Sequence, residues 1–529
     1  MSRKKTACPE HLNQLRSIMP ELLSTLEKGR EQDWYSFVWL EESRQCLSVS
    51  AITERTNESL DRGMVFRVYV NGKNFEKSTN ILDPENIRLV AKKFRAELDA
   101  KFPNKEIAGY QPKSWKQELA SNLDKEYVEQ LPEDSTAESL IHFGVSYEDD
   151  PSKTTIASLK KLSSTFRSKL QRKAKSFMDT ENESTMKGDP YEPLVEMAVM
   201  ARQELRTNIF VDREKNMSQT LPISLVAATG ISKSGKSCRA TVGGLGGMEV
   251  TKFSLEDIEE VTQKTFKLTK AEKIEPGRYQ VISGPDVTGV IAHEAFGHTQ
   301  EGDTWMKGRS IAMNLHLSQT KVGNEQASIV NHANLFSMEN KNHGSNGSYF
   351  FDHEGELGRV QTILDKGDLS TPMTDLTSSE RLQVPRTANG KRESWRRPLM
   401  ARQTNTYFTP GDKTFDEIIA MVKDGFLAQH AHGGMEDPKG GSLTAGTAYF
   451  EEIKDGVLTG KIFLGPSGGH IELSDPVFSM LDNIIAKTKS VNASHIPENK
   501  FGGCGKYHKE LVSAGCGGPY ILWDSVNCG

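Results

Sequence analysis

Tyr279-Gln-Val-Ile282, then Gly284-Pro285-Asp286, then Val287-Thr-Gly-Val-Ile-Ala-His-Glu-Ala-Phe-Gly-His298 reads as strand, turn and helix in succession. Asp286 or Thr288 can cap the helix. Val287, Ile291, Glu294 and His298 fall on one stripe of it, so a carboxylate and an imidazole point where apolar side chains point. Buried polar groups need partners, and a metal ion would supply them.

The familiar zinc helix carries two histidines four residues apart on one face. Here His293 and His298 are five apart, which in a regular helix separates them by roughly 140°. A local π-bulge realigns positions i and i+5 and would let both bind one ion. Glu294 could then act as general base on zinc-bound water, whose pKa zinc brings to about 7. The plain alternative is a pair of helix histidines that make ordinary hydrogen bonds.

Outward from this stretch the chain predicts an α+β protein: an N-terminal α/β region followed by a β-rich C-terminal domain that carries the zinc-binding helix. Three units are expected, at 1–110, 111–275 and 276–529. In the first, Leu12, Leu15, Met19, Leu22, Leu23 and Leu26 form a helical stripe between Pro9 and Arg30. Strand-like runs follow at 34–40, 45–50 and 64–70, and Asp83-Pro84 opens another helix. In the second, Ile156, Leu159, Leu162, Phe166, Leu170 and Phe177 define one face of a helix with a basic, solvated opposite face. Residues 179–190 read as a loop, 208–212 and 225–228 as strands, and Gly243–Gly247 as a flexible turn or close backbone approach. In the third, Lys366-Gly367 and Asp455-Gly456 mark hairpins, and Thr414-Phe-Asp-Glu417 is a capping box.

The 529 residues are 36% apolar and 26% charged, with a net charge of -5, a composition that suits soluble domains. Neither a nucleic-acid nor a membrane footprint is present. No apolar run is long enough to cross a bilayer, and no signal peptide follows the basic start, so the cytoplasm is the expected location. Six cysteines without a CxxC pair make neither a disulfide framework nor a zinc ribbon.

His293 to Asp303 reads His-Glu-Ala-Phe-Gly-His-Thr-Gln-Glu-Gly-Asp. This resembles the HEA-x-GH-x-x-EGD signature of the TldD/PmbA family of metallopeptidases. Phe351-Asp352-His353-Glu354-Gly355 resembles the family's D-D-E-G segment, with His353 in place of the usual Asp. Thr404-Asn405-Thr406 with Pro410-Gly411, and Cys504-Gly505-Lys506 with Gly517-Gly518-Pro519, resemble two further motifs. The resemblance covers roughly 30–525 and is weakest over 110–200. It implies that Cys504 is the third zinc ligand beside His293 and His298, which leaves a fourth position open. Cys516 and His508 stand nearby as competitors.

Glu301 and Asp303 could orient a histidine or be surface charges. His430 and His432 could line the cleft, lie on the surface or form a second metal site. Arg386 to Lys391 could form a polar cleft loop. The family resemblance further implies a peptide substrate, hydrolysed in a closed dimeric chamber, and a homodimer or a heterodimer with a related family member. A zinc-binding scaffold subunit, or an amidohydrolase acting on a small modified substrate, is the alternative.

Overall fold

The computed structural model describes residues 4–104, 110–119, 130, 139–184, 193–337, 343–489, 498–499, 503–506 and 510–529. The predicted N-terminal helix is two: α1 (Glu10–Arg16) and α2 (Met19–Glu27). The chain turns between them, and Pro20, which has no N–H to donate, sits in the first turn of α2. Strands β1 (Tyr35–Ser50) and β2 (Arg55–Val70) merge the shorter runs expected from sequence into two 16-residue strands. After β3 (Lys73–Thr79), Asp83 caps α3 (Pro84–Lys101) by accepting from the Asn86 amide.

The chain continues through β4 (Leu140–Gly144), α4 (Ile156–Ser184), β5 (Leu194–Val211), β6 (Asn216–Ser232), β7 (Ser237–Leu245) and α5 (Leu255–Leu268). Helix α4 runs into the stretch read as a loop at 179–190, and 185–190 lie outside the described residues. The order β3-β2-β1-β5-β6-β4, with β7 also on β6, makes one seven-stranded sheet. Strands from 35–79 and from 194–245 therefore share one ladder.

Alternation along β1 explains how both faces of this sheet are covered. Val38 and Leu40 point to one side and pack with Leu12, Leu22, Ile87 and Phe94 of the three helices. Tyr35, Phe37 and Trp39 point to the other and pack with Tyr349, Phe350 and Phe351 from the C-terminal part of the chain. Helix α4 covers the far end, where Leu159, Phe166 and Leu170 meet Val199, Ala201 and Val226. Gly243 and Gly244 take the close-approach reading: a Cβ on either would run into a facing backbone carbonyl, Ser224 or Gly344.

The C-terminal half is built on β8 (Gly277–Ser283), α6 (Pro285–Ala292), β9 (Ile329–His332), β10 (Val360–Asp365), β11 (Asn405–Phe408), β12 (Asp424–Asp437), β13 (Ser442–Lys454), β14 (Val457–Leu464), β15 (Ile471–Pro476), β16 (Ile484–Lys487), β17 (Gly515–Gly517) and β18 (Ile521–Cys528). One sheet runs β14-β13-β12-β8-β18-β15, and β15 pairs back onto β13. A second runs β10-β9-β11-β17. Helix α6 lies between them, its Val287, Val290, Ile291 and Ala292 packed with Ile329, Phe408, Ala445 and Trp523. Both expected hairpins form, with Lys366 and Asp455 at positive φ ahead of Gly367 and Gly456. The capping box at Thr414 and Glu417 is present. No helix among the described residues is long and apolar enough to cross a membrane.

Candidate metal centre

Helix α6 starts differently from the sequence expectation. Gly284 is the N-cap and Pro285 occupies the first turn. Asp286 instead reaches sideways and accepts the Ala431 amide at 2.6 Å, which ties the helix to β12. On the opposite side, Gly289 presses on the Cys516–Gly517 backbone so closely that a Cβ would collide with it. The helix is thus wedged between both sheets, and its C-terminal end has a fixed position.

At that end the helix widens. His293–Gly297 form a π-helical turn, followed by a 3-10 turn at His298–Gln300. The widening brings side chains five apart onto one face. The two imidazole rings stand 4.8 Å apart, nearly perpendicular at 87°. Gly297 is needed here because a Cβ would strike the Gln403 side chain. That glutamine donates to the His293 carbonyl at 3.1 Å and accepts from the Thr406 hydroxyl at 2.8 Å.

Cys504 comes from far along the chain. Its Sγ lies 3.2 Å from His293 Nε2 and 3.3 Å from His298 Nε2. A tetrahedral zinc ion bound at the usual lengths would hold nitrogen and sulfur about 3.5 Å apart. The donor set, two imidazole nitrogens and one thiol sulfur on three buried residues within 4.8 Å of one another, fits such an ion. The electrostatics agree. Burial favours the neutral thiol of Cys504, but His298, Arg402 and His293 outweigh it and hold its pKa well below the usual value. Burial also disfavours a charged His298, but Cys504, Glu436 and Glu301 outweigh it and raise its pKa. A divalent cation would replace the proton these groups attract.

Behind the donors lies a buried ionic cluster. Glu301 Oε2 is 3.2 Å from His298 Nδ1, which leaves Nε2 facing Cys504. Lys506 Nζ lies 2.7 Å from Glu301 and 2.6 Å from Asp303. Burial alone would raise the Glu301 pKa, yet Lys506, His298 and Arg402 bring it down to about 2. Glu301 thus stands where it can orient a histidine, while Asp303 meets Lys506 rather than a histidine; both are buried, so neither is a surface charge.

The sequence gives no hint of Glu436. It sits half-buried on β12 and forms a second cluster with Glu294 and His298. Burial, with the Glu294 carboxylate beside it, pushes its pKa up to about 8 against the pull of His298. Gly434 lets β12 come this close, since a Cβ there would meet the Glu294 side chain at 2.8 Å.

The remaining candidates lie elsewhere. His430 is directed to Glu260 at 3.5 Å, and His432 stacks on His470 with centroids 4.5 Å apart. Among the described residues neither belongs to a three-residue metal-ligating cluster. Cys516 packs in the core around α6, and His508 lies outside the described residues. Arg386 to Lys391 is not a cleft loop. Arg386 is buried among Asp352, Glu354 and Glu356, and Lys391 donates to the Gln403 and Ser513 carbonyls.

Residues 276–529 match the model of the PmbA/TldA metallopeptidase C-terminal domain. Among curated proteins, a metalloprotease of Methanothermobacter thermautotrophicus is 29% identical over 300 residues, 55% of this chain and 59% of its own length. The zinc metalloprotease TldD homolog of Saccharolobus solfataricus is 28% identical, over 52% of this chain and 58% of its own length. The matches thus span a little under three-fifths of these relatives. Among solved structures, a putative modulator of DNA gyrase from Bacteroides thetaiotaomicron superposes with a TM-score of 0.67 at 12% identity, covering 98% of this chain and 99% of that one. TldE from Thermococcus kodakarensis superposes with a TM-score of 0.60 at 13% identity, covering 97% and 99%. These two share the fold.

Proposed function

Since this chain belongs to the TldD/PmbA family, we propose that it is a zinc-dependent peptidase acting on small or unfolded peptides, with His293, His298 and Cys504 as metal ligands and Glu294 as general base. The observation that carries this reading is the convergence of two imidazoles and one thiol on a single buried point. Their number leaves one position for substrate or water, as in a catalytic rather than a structural site. When bound there, zinc supplies Lewis-acid polarisation of the scissile carbonyl and makes a nearby water more acidic.

The chain's own residues do the rest. Glu294 follows the first ligand directly and takes the proton of the attacking water. Glu436, hydrogen-bonded to Glu294, fixes the direction of that carboxylate. Glu301 holds the His298 ring by Nδ1 so that Nε2 stays available. Residues 276–529 form the peptidase unit of this reading, which places the protein in the cytoplasm as a homodimer or paired with a related chain, as a closed chamber around the site.

The test is metal analysis of the purified protein with a peptide-library cleavage assay before and after chelation. About one zinc per chain is expected, lost on His293→Ala and on Cys504→Ser but kept on Cys516→Ser. Full zinc in the His293→Ala/His298→Ala protein, or cleavage untouched by chelation, would overturn the reading. Light scattering checks the assembly, expected near twice 58.8 kDa for a homodimer.

A further inference from the structure

Cys504 is 211 residues from His293 and belongs to no extended strand. It stands on a single bridge to Val512, with backbone hydrogen bonds of 2.8 and 3.0 Å. One such bridge is a weak constraint for a ligand that must meet two others to within tenths of an ångström. Two cations supply what the backbone lacks. Arg402 donates to the carbonyls of Cys504 and Glu510 and so grips the segment itself. Lys506, two residues after the thiol, crosses to the histidine side. Its Nζ meets Asp303 at 2.6 Å, Glu301 at 2.7 Å and the Ala401 carbonyl at 3.0 Å. The Glu301 oxygen it meets is the one beside His298 Nδ1. All these side chains are buried.

We propose that Lys506 is a positioning residue, a clamp that locks the Cys504 segment onto the His298 side of the centre before metal binds. The proposal rests on the zinc reading above and adds to it how the third ligand is pre-organised. Lys506 is one carboxylate removed from His298 and two residues removed from Cys504, so it couples two ligands that are 206 residues apart in sequence. A lysine that merely balanced two buried carboxylates would affect stability but not the relative placement of thiol and imidazole.

The experiment measures two quantities that stability alone does not move. Zinc affinity is read by competition with a chromophoric chelator. Accessibility of Cys504 in the metal-free protein is read as its alkylation rate by iodoacetamide, followed by peptide mapping. Lys506→Met should weaken zinc 10–100-fold, the usual range for loss of a group that orients ligands, and should speed alkylation of Cys504. Lys506→Arg should recover at least part of both. Asp303→Asn/Lys506→Met, which keeps the buried charge balanced, should behave like Lys506→Met and decides the matter if the single variant fails to fold. Wild-type zinc affinity and alkylation rate in a folded variant lacking the lysine would overturn the clamp. His293→Ala separates the two readings. If it binds zinc like the wild type, the metal centre itself is wrong. If it loses zinc while the lysine variants keep it, only the clamp is.

Discussion

The long-stranded sheet and the metal-centre half both bury carboxylates, and they direct them differently. In the sheet, Glu204 is held by Arg202 and Arg206 at 2.6 Å each and accepts from Ser43 at 2.8 Å. Glu41, on the neighbouring strand, accepts the Trp395 amide at 3.0 Å. Burial pushes Glu41 up to about 7, while the two arginines bring Glu204 down to about 2 despite burial. In the metal-centre half, Glu301 is brought to about 2 and Glu436 is pushed to about 8. The two pairs look alike as titrating groups. What separates them is convergence: Glu301 and Glu436 face His298, whereas Glu41 and Glu204 face arginines and backbone. A perturbed carboxylate marks a site only when its neighbours can also hold a ligand.

The largest effect that sharpens this contrast belongs to Glu294→Gln. Glutamine keeps the shape and can still accept a hydrogen bond, but it cannot take a proton. A positioned general base contributes typically 10²–10⁴-fold, so kcat should fall by about that factor, with zinc content and melting temperature retained. Wild-type turnover in a folded, zinc-loaded variant would remove Glu294 from the mechanism.

Next in size is the charge cluster that joins the halves. Arg386 lies 3.4 Å from Glu354, 3.5 Å from Glu356 and 3.8 Å from Asp352, and is only 8% exposed. Removing one member of a buried ionic group leaves its partners uncompensated at a cost of about 3–5 kcal/mol. Arg386→Met should therefore lower the unfolding free energy by about that amount, measured by denaturant titration. Zinc bound per folded molecule should stay the same. If the variant is stable but loses zinc, the cluster serves the metal centre and the contrast between regions fails.

How much of this was readable beforehand follows from what each feature depends on. The helix with His293, Glu294 and His298 is legible because its apolar stripe and its motif are local. The π-turn follows from the same spacing, since two ligands five apart need a wider helix. Cys504 is not local. Nothing in periodicity connects it with residue 293, and only the resemblance of Cys504-Gly505-Lys506 to a family motif pointed to it. Glu436 had neither kind of signal, because its position depends on how β12 packs beside α6 at Gly434. The seven-stranded sheet was legible only in fragments. Its strands carry charged residues such as Glu41, Arg67 and Glu204 at buried positions, which breaks the alternation that identifies a strand. The Arg386 segment read as a cleft loop for the same reason: buried charge looks like surface in a sequence.

The smallest effect concerns Glu41 and its pH dependence. Its carboxyl titrates near 7 in the folded protein, pushed up first by burial and only partly opposed by Arg206 and the Trp395 amide. In the unfolded chain a glutamate titrates near 4.3. The folded state therefore holds a proton that the unfolded state has lost between those values. Stability contributed by this group is full below about pH 4, declines as pH rises through that interval, and is gone above about pH 7. Glu41→Gln cannot ionise, and its side-chain oxygen still accepts the Trp395 amide. The two proteins should melt alike at pH 4.5, and the variant should be the more stable above pH 7 by about 1–3 kcal/mol. Peptide cleavage should not change, since Glu41 faces no metal ligand. Paired melting curves across pH 4.5–8 decide it. A difference that runs the other way would mean that Arg206 holds the Glu41 carboxylate ionised, lowered like Glu204 beside it rather than raised.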